Sequence, residues 1–249
     1  MRTSAGHKLV LIPWHIGNTL DVTLHAIRAI RGLRCFLAED PGLSRRQFAP
    51  FLGAGASGKS FQRIPDAPSP EFLKGVRALL RQEDVGLVSG GGIPCFIDPG
   101  SWVVRELRRE GVAVQALAGA SALSTVLSLS GVDWGVDPNH FFSFVFFSDQ
   151  TTRREKDAIQ RALGRAGEPI VVFLRVPHFR ACLRAVAAGG AGRRVSAFFD
   201  LTKVPREQFP WADQVRTLPC RAWLKEAAKL RWGAVSDVVL LVHPDGGAP

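Results

Sequence analysis

The stretch Leu87 to Gly100, LVSGGGIPCFIDPG, places the tightest constraint on what this chain can fold into. It follows a charged helix end at Arg81-Gln82-Glu83-Asp84 and starts as a short apolar run. It then passes through Gly90, Gly91 and Gly92 and closes on Asp98-Pro99-Gly100, where a new helical pattern begins. That order describes a strand ending in a loop with its main chain bared. Three successive residues without Cβ atoms let a ligand reach backbone N–H and C=O groups, although a tight turn at positive φ would use the same triplet. Open α/β sheets bind ligands at the carboxyl ends of their strands, so the other strands and turns matter for whether they share that edge.

Lys8 to Pro13 reads as a buried strand, His15-Ile16-Gly17-Asn18 as a turn, and Val22 to Arg31 as a helix capped by Asp21. Cys35 to Ala38 is the next strand. It ends on Glu39-Asp40, which are either two carboxylates at the ligand edge or caps for a helix over Ser44 to Leu52. Ser69 and Pro70 open a helix to about Gln82, followed by a helix from Ser101 to Glu110 and a strand from Val112 to Leu117. This alternation predicts a parallel sheet with helices on both faces. A second small-residue turn, Ala118-Gly119-Ala120-Ser121-Ala122, opens a helix to Ser130.

Beyond that turn, strands are expected at Phe141 to Phe147, Ile170 to Leu174, Arg194 to Asp200, Gln214 to Leu218 and Val235 to His243. Helices are expected at Asp149 to Ala166, His178 to Ala188 and Arg221 to Leu230. The fold class is α/β, in two α/β domains over residues 1–118 and 119–249, with a ligand cleft between them.

The chain of 249 residues is 46% hydrophobic, enough for a substantial core, yet its longest apolar runs are only strand-sized. Met1 to Lys8 is polar, and Leu9 to Pro13 is too short for a signal-peptide core, so a soluble cytoplasmic protein with no membrane partner is expected. Cys35, Cys95, Cys182 and Cys220 have neither CxxC pairing nor metal-ligand rhythm and read as reduced core thiols, with no metal site. Thirty-two Lys plus Arg against 22 Asp plus Glu give a formal charge of +10, which suits a polyanionic partner and equally an arginine-rich solvated surface. Arg221, Lys225 and Lys229, with the pairs Arg45-Arg46, Arg153-Arg154 and Arg193-Arg194, are the cations available to grip phosphates. Phe141, Phe142, Phe144, Phe146 and Phe147 have the spacing of a buried strand rather than of a base-stacking platform.

Gly53 to Ser60, GAGASGKS, matches the phosphate-cradling pattern G-x-x-x-x-G-K-[ST] letter for letter. That motif works between a buried strand and a helix. Here Ser44 to Leu52 looks helical, and Pro65, Pro68 and Pro70 forbid a helix afterwards. The segment is read as a flexible connection, which sets aside a nucleotide hydrolase built on Lys59.

In order, PWHIGNTLDVTLHAI, AED at 38–40, LVSGGGIPCFIDPG, LAGASA, VPH at 176–178 and LTK at 201–203 resemble the S-adenosylmethionine-dependent tetrapyrrole methylase superfamily over residues 8 to 243. Within it the likeness is to the branch that methylates a ribose 2′-hydroxyl in 16S ribosomal RNA. That branch carries P-x-G-N-x-x-D-x-T-x-R-A, A-E-D, S-D-A-G-T-P-x-x-x-D-P-G and P-G-P-S-A. The resemblance implies a homodimer of two-domain chains, with S-adenosyl-L-methionine folded into the cleft and RNA or a small ribosomal subunit as partner. It places Pro13, Ser89, Gly90, Gly91, Gly92, Ile93, Pro94, Ala120, Ser121 and Ala122 against the cofactor, with Leu174 flanking the adenine. Asn18, Glu39 and Asp40 fall at the substrate mouth, Asp40 as the first choice of proton acceptor and Glu39 as the second.

The departures are specific. The family's Asp and Thr in the Gly-rich loop are Gly90 and Ile93, and the prolines of the second turn are Ala118 and Ala120. The aromatic-acid pair that precedes the family's S-x-H segment is Leu174-Arg175, the opening's Arg is His25, and the Thr-Arg after A-E-D is Pro41-Gly42. A Lys-Gly-Glu near the last strand is Val235-Ser236-Asp237. These changes strip polar groups from both sides of the cleft. They keep open a tetrapyrrole or other acidic small molecule as substrate, and a non-catalytic cofactor-binding homologue.

Overall fold

The computed structural model describes residues 6–53, 58–134, 141–147, 153–165, 167–190, 192–203, 215–229 and 237–244. It comprises two compact units, Met1–Ser121 and Ala122–Pro249.

The first unit is built on five strands: β1 (Leu9–Leu11), β2 (Cys35–Ala38), β3 (Ser60–Arg63), β4 (Val85–Val88) and β5 (Val114–Ala116). They form one all-parallel sheet in the order β3-β2-β4-β1-β5, with Leu9 opposite both Val85 and Val114. Every residue of β2 and β4 is buried, because helices cover both faces of a parallel sheet and leave no polar side for alternation. α1 (Leu24–Gly32) and α2 (Pro41–Leu52) pack on one face around Ile12, Trp14, Ile30, Phe36 and Phe48. α3 (Pro70–Leu80) and α4 (Ser101–Arg109) cover the other face around Leu9, Leu37, Leu73, Leu87 and Leu107. Gly86 in β4 leaves room for the Phe36 ring, since a Cβ there would come within 2.6 Å of it.

Three local expectations change. α1 starts at Leu24 and is capped by Thr23, whose hydroxyl accepts from the Ala26 N–H at 3.1 Å; Asp21 instead ends a short 3-10 turn, Thr19–Asp21, capped by Asn18. α2 starts at Pro41 rather than Ser44, because Asp40 caps it. The third change is β3, which was read as connection. Only Phe61 of its four residues is even half-buried, so an edge strand here carries no apolar run to read. β3 also disposes of the phosphate-loop pattern. Gly53 closes α2 at φ +54, residues 54–57 lie outside the described set, and Ser60 enters a strand instead of a helix. The Lys59 ammonium donates to the carbonyl oxygens of Arg31 and Leu33, at the end of α1.

The second unit contains α5 (Ala122–Leu129), β6 (Ser143–Phe147), α6 (Arg153–Leu163), β7 (Ile170–Leu174), α7 (Phe179–Gly190), β8 (Arg194–Phe199), β9 (Val215–Pro219), α8 (Cys220–Glu226) and β10 (Val238–Val242). Its sheet runs β6-β7-β10-β8-β9, parallel only between β6 and β7. Phe147, Ile159, Val172, Leu183, Phe199, Trp223 and Leu240 centre its core. The aromatic run splits by face: Phe147 is buried, while Phe146 is exposed and Phe144 meets Phe173 edge-on at 5.1 Å. Arg193 is not a surface cation, being 4% exposed and donating to the Leu163 carbonyl at 2.9 Å. Arg221 and Lys225 are exposed on α8, and Lys229 pairs with Glu226 just beyond its end. The expected helix bounds at 149 and 166, and positions 214, 230, 235 and 236, lie outside the described residues.

Candidate functional site

Because the first sheet is all-parallel, the segments that follow β1, β2, β4 and β5 emerge at one edge. There the Gly-rich loop is tied to its neighbours through main chain. The Trp14 N–H donates to the Gly92 carbonyl at 2.9 Å, the Gln47 side-chain amide to the Gly90 carbonyl at 2.9 Å, and the Gly90 N–H to Glu39 Oε2 at 3.2 Å. Within the loop the Ser89 hydroxyl donates to the Gly91 carbonyl at 3.0 Å.

Glycine is required here by proximity as well as conformation. A Cβ on Gly91 would lie 3.1 Å from the His15 carbonyl oxygen. One on Gly92, at φ +69, would lie 3.3 Å from Ile16 Cγ2 and 3.6 Å from the Ala120 carbonyl oxygen. One on Gly119 would overlap the Pro13 ring. The bends at 13–16, 90–92 and 119–120 therefore abut at this edge. Gly90 is different. A Cβ there meets only ordinary contacts, 3.5 Å from Glu39 Oε2 and from Leu43, so there is room for a side chain where the resembling loop carries Asp.

The structure thus brings together Pro13, Ser89, Gly90, Gly91, Gly92, Ala120 and Glu39 in one unit. Pro94 is buried in the loop, and Ile93 is partly exposed. Ser121 ends the first unit, and Ala122 opens α5 in the second. Leu174 is the last residue of β7 and packs in the second unit's core.

The polar residues have definite partners. Asn18 accepts from the Leu20 N–H at 3.0 Å. Asp40 accepts from the Leu43 N–H at 2.9 Å, and that bond holds its carboxyl below the usual carboxylate range, which weakens it as a base. Glu39 faces the Gly90 N–H.

Asp98, in the Asp-Pro-Gly closing the loop, was not singled out from sequence, although its place on the Gly-rich strand end was the available signal. Burial, with the charge of Glu39 adding to it and the Ser89 hydroxyl opposing, pushes its carboxyl up to about 6. Neighbouring Cys95 sits at φ +68, and burial with the Asp98 charge pushes its thiol up to about 12. The loop therefore sets a carboxyl raised to about 6 beside glycine main chain tied to its neighbours. Among the described residues no three His, Cys, Asp or Glu side chains gather as a metal site, and no helix is long and apolar enough to cross a membrane.

The small-subunit ribosomal RNA methyltransferase I of Thermotoga maritima is 29% identical over 203 residues, covering 81% of this chain and 86% of that protein. The enzyme of the same name from Leptospira biflexa is 31% identical over 170 residues, covering 68% and 67%. Among solved structures, a diphthine synthase superposes with a TM-score of 0.68 at 14% identity, covering 94% of this chain and 89% of that one. The uroporphyrin-III C-methyltransferase of Thermus thermophilus, complexed with S-adenosyl homocysteine, gives 0.56 at 15% identity, covering 94% and 96%. At those identities the structures establish the fold, and the two-sheet α/β architecture is theirs. The family model for tetrapyrrole (corrin/porphyrin) methylases matches residues 8–212. That match takes in the abutting bends and the Gly-rich loop, and the chain belongs to the tetrapyrrole methylase family.

Proposed function

We propose that this chain transfers a methyl group from S-adenosylmethionine to a ribose 2′-hydroxyl of small-subunit ribosomal RNA. The observation that carries the reading is its likeness, at about 30% identity over most of its length, to proteins named for methylation of that RNA. When bound, the cofactor supplies an already activated methyl group on a sulfonium. What remains for the protein is orientation, holding nucleophile, carbon and sulfur in line, together with acceptance of one proton.

The residues present suit that cofactor. Three bends pack closely at Gly91, Gly92 and Gly119, with no Cβ between them. Pro13, Ser89 to Pro94, Ala120 and Ser121 would line the cofactor's side of the first unit. Asn18, Glu39 and Asp40 would stand on the acceptor's side. The +10 charge would draw in the RNA backbone. Leu20 and Leu24 are 88% and 74% exposed, with Phe96 half exposed on the same unit; apolar surface of that kind supports a homodimer. A cytoplasmic location would follow from a ribosomal substrate.

The test is incubation with a tritiated methyl donor against small subunits, naked ribosomal RNA and a tetrapyrrole mixture. Label at a ribose of the small-subunit RNA supports the reading. Label in the tetrapyrrole fraction, or cofactor binding with no transfer anywhere, overturns it.

A further inference from the structure

We propose that His15 takes the proton from the attacking hydroxyl, and that Asp21 holds the imidazolium that results. This deepens the methyl-transfer reading and rests on it.

The carboxylates at the substrate mouth are poorly placed for the task. Asp40 is engaged as a helix cap and Glu39 holds the Gly90 N–H. His15 lies in the bend after β1, with its carbonyl oxygen against Gly91. Its ring is tilted against Trp14 at 5.9 Å, and Trp14 is itself fully buried and fastened to the Gly92 carbonyl. His15 therefore sits in the bend whose main chain abuts the Gly-rich loop.

Among the described residues, His15 Nδ1 and Asp21 Oδ2 are both buried without a hydrogen-bond partner. A buried polar atom left unpaired is costly, so two in neighbouring turns call for an explanation. They are complementary, since one can donate and the other accepts, and Asp21 is the charge that acts on the His15 ring. Catalytic hydrogen bonds are often long before substrate binds and tighten afterwards. Asp21 is itself held by the 3-10 turn, its N–H donating to the Asn18 carbonyl at 3.0 Å. Burial lowers the His15 pKa, with Asp21 opposing, so the ring is neutral at pH 7 and able to accept.

In the step, His15 Nε2 takes the hydroxyl proton as the oxygen's electron pair forms the bond to the methyl carbon. The carbon–sulfur bond breaks with its electrons remaining on sulfur, and Nδ1–H closes onto Asp21. The proton leaves to solvent after product release.

The experiment compares wild type with His15→Gln, His15→Gly, Asp21→Asn and Asp98→Asn. It measures methyl transfer to small subunits, cofactor affinity by calorimetry, and the His15 imidazole titration by NMR in the cofactor-free protein. His15→Gln is expected to lower kcat by about 10²–10³-fold while cofactor affinity stays within about twofold. Added imidazole restores part of the rate to His15→Gly, which a merely structural role would not permit. Asp21→Asn moves the His15 titration to lower pH. Transfer by His15→Gln at close to the wild-type rate overturns the proposal, as does a loss that imidazole does not relieve and that weakened cofactor binding accompanies. A larger loss from Asp98→Asn than from His15→Gln overturns it in favour of that carboxylate. Wild type that methylates no RNA at all removes the parent reading and this one with it.

Discussion

Asp98 shows how far one side chain can be displaced from its solution behaviour by the loop that holds it. Its ordinary value is 3.8 and in the folded chain it is about 6. The folded state therefore binds the proton more tightly between those values, and the penalty for ionising Asp98 is absent below about pH 4 and complete above about pH 6. Two pKa units correspond to about 3 kcal/mol, and partial exposure reduces that to about 1–2 kcal/mol. Asp98→Asn should stabilise the protein by that amount in thermal melts at pH 7.5 and add nothing at pH 3.5.

His243 behaves in the opposite sense. It is buried, with its ring Nε2 at 2.7 Å from the Ser196 hydroxyl, and burial followed by the Arg194 charge lowers its pKa from 6.5. The unfolded chain takes up that proton first, so stability should fall as pH drops below 6.5, and His243→Gln should flatten this part of the profile. Neither shift could be read from sequence, since both depend on which side chains the fold brings together. What could be read was chemistry with a local cause: Ser69 and Pro70 open a helix as their types dictate. Asp21 misled for the same reason in reverse. Both it and Thr23 are able caps, and the 3-10 turn between Asn18 and Val22 decides between them.

Among elements, the crossing of the β1 and β5 bends gives the sharpest mutational contrast. A Cβ on Gly119 overlaps Pro13, so Gly119→Ala should cost about 1–3 kcal/mol in urea denaturation and weaken binding of S-adenosylmethionine. Gly75 lies exposed in α3 with nothing within 4 Å of an added Cβ, and Gly75→Ala should gain about 0.5–1 kcal/mol with cofactor affinity unchanged. Strands β2 and β7 were legible residue for residue, because burial on both faces leaves an unbroken apolar signature, whereas β4 was read only from Leu87, two residues after it starts. β3 was not legible. An edge strand answers to pairing with β2 rather than to any core, and Ser60-Phe61-Gln62-Arg63 has no pattern of its own. The Gly-rich bend was found because glycines mark it. The abutment of 92 against 120 is a tertiary fact, visible in sequence only as a second small-residue turn.

For the whole molecule, the alternation of strand and helix led correctly to an α/β protein, and its first sheet is parallel throughout. The mixed directions in the second sheet were beyond that reasoning. A buried antiparallel strand such as Val238-Val239-Leu240-Leu241-Val242 is indistinguishable in composition from a parallel one. Two predictions belong at this scale. Affinity for small subunits should fall steeply between about 50 and 200 mM salt if the +10 charge engages phosphates, as filter binding would register. Leu20→Glu combined with Leu24→Glu should convert a dimer to a monomer in sedimentation while leaving the fold intact, since both side chains are exposed in the single chain.

The position of β10 has its own consequence for how the protein is made. It fills the middle of its sheet, between β7 and β8, yet it comes from residues 238–242. A nascent polypeptide whose residues up to β9 have emerged from the exit tunnel therefore holds that sheet as two separate halves, each with a raw edge open to aggregation. The first unit, whose last strand ends at Ala116, can close long before β10 emerges; the sheet of the second cannot close until it does.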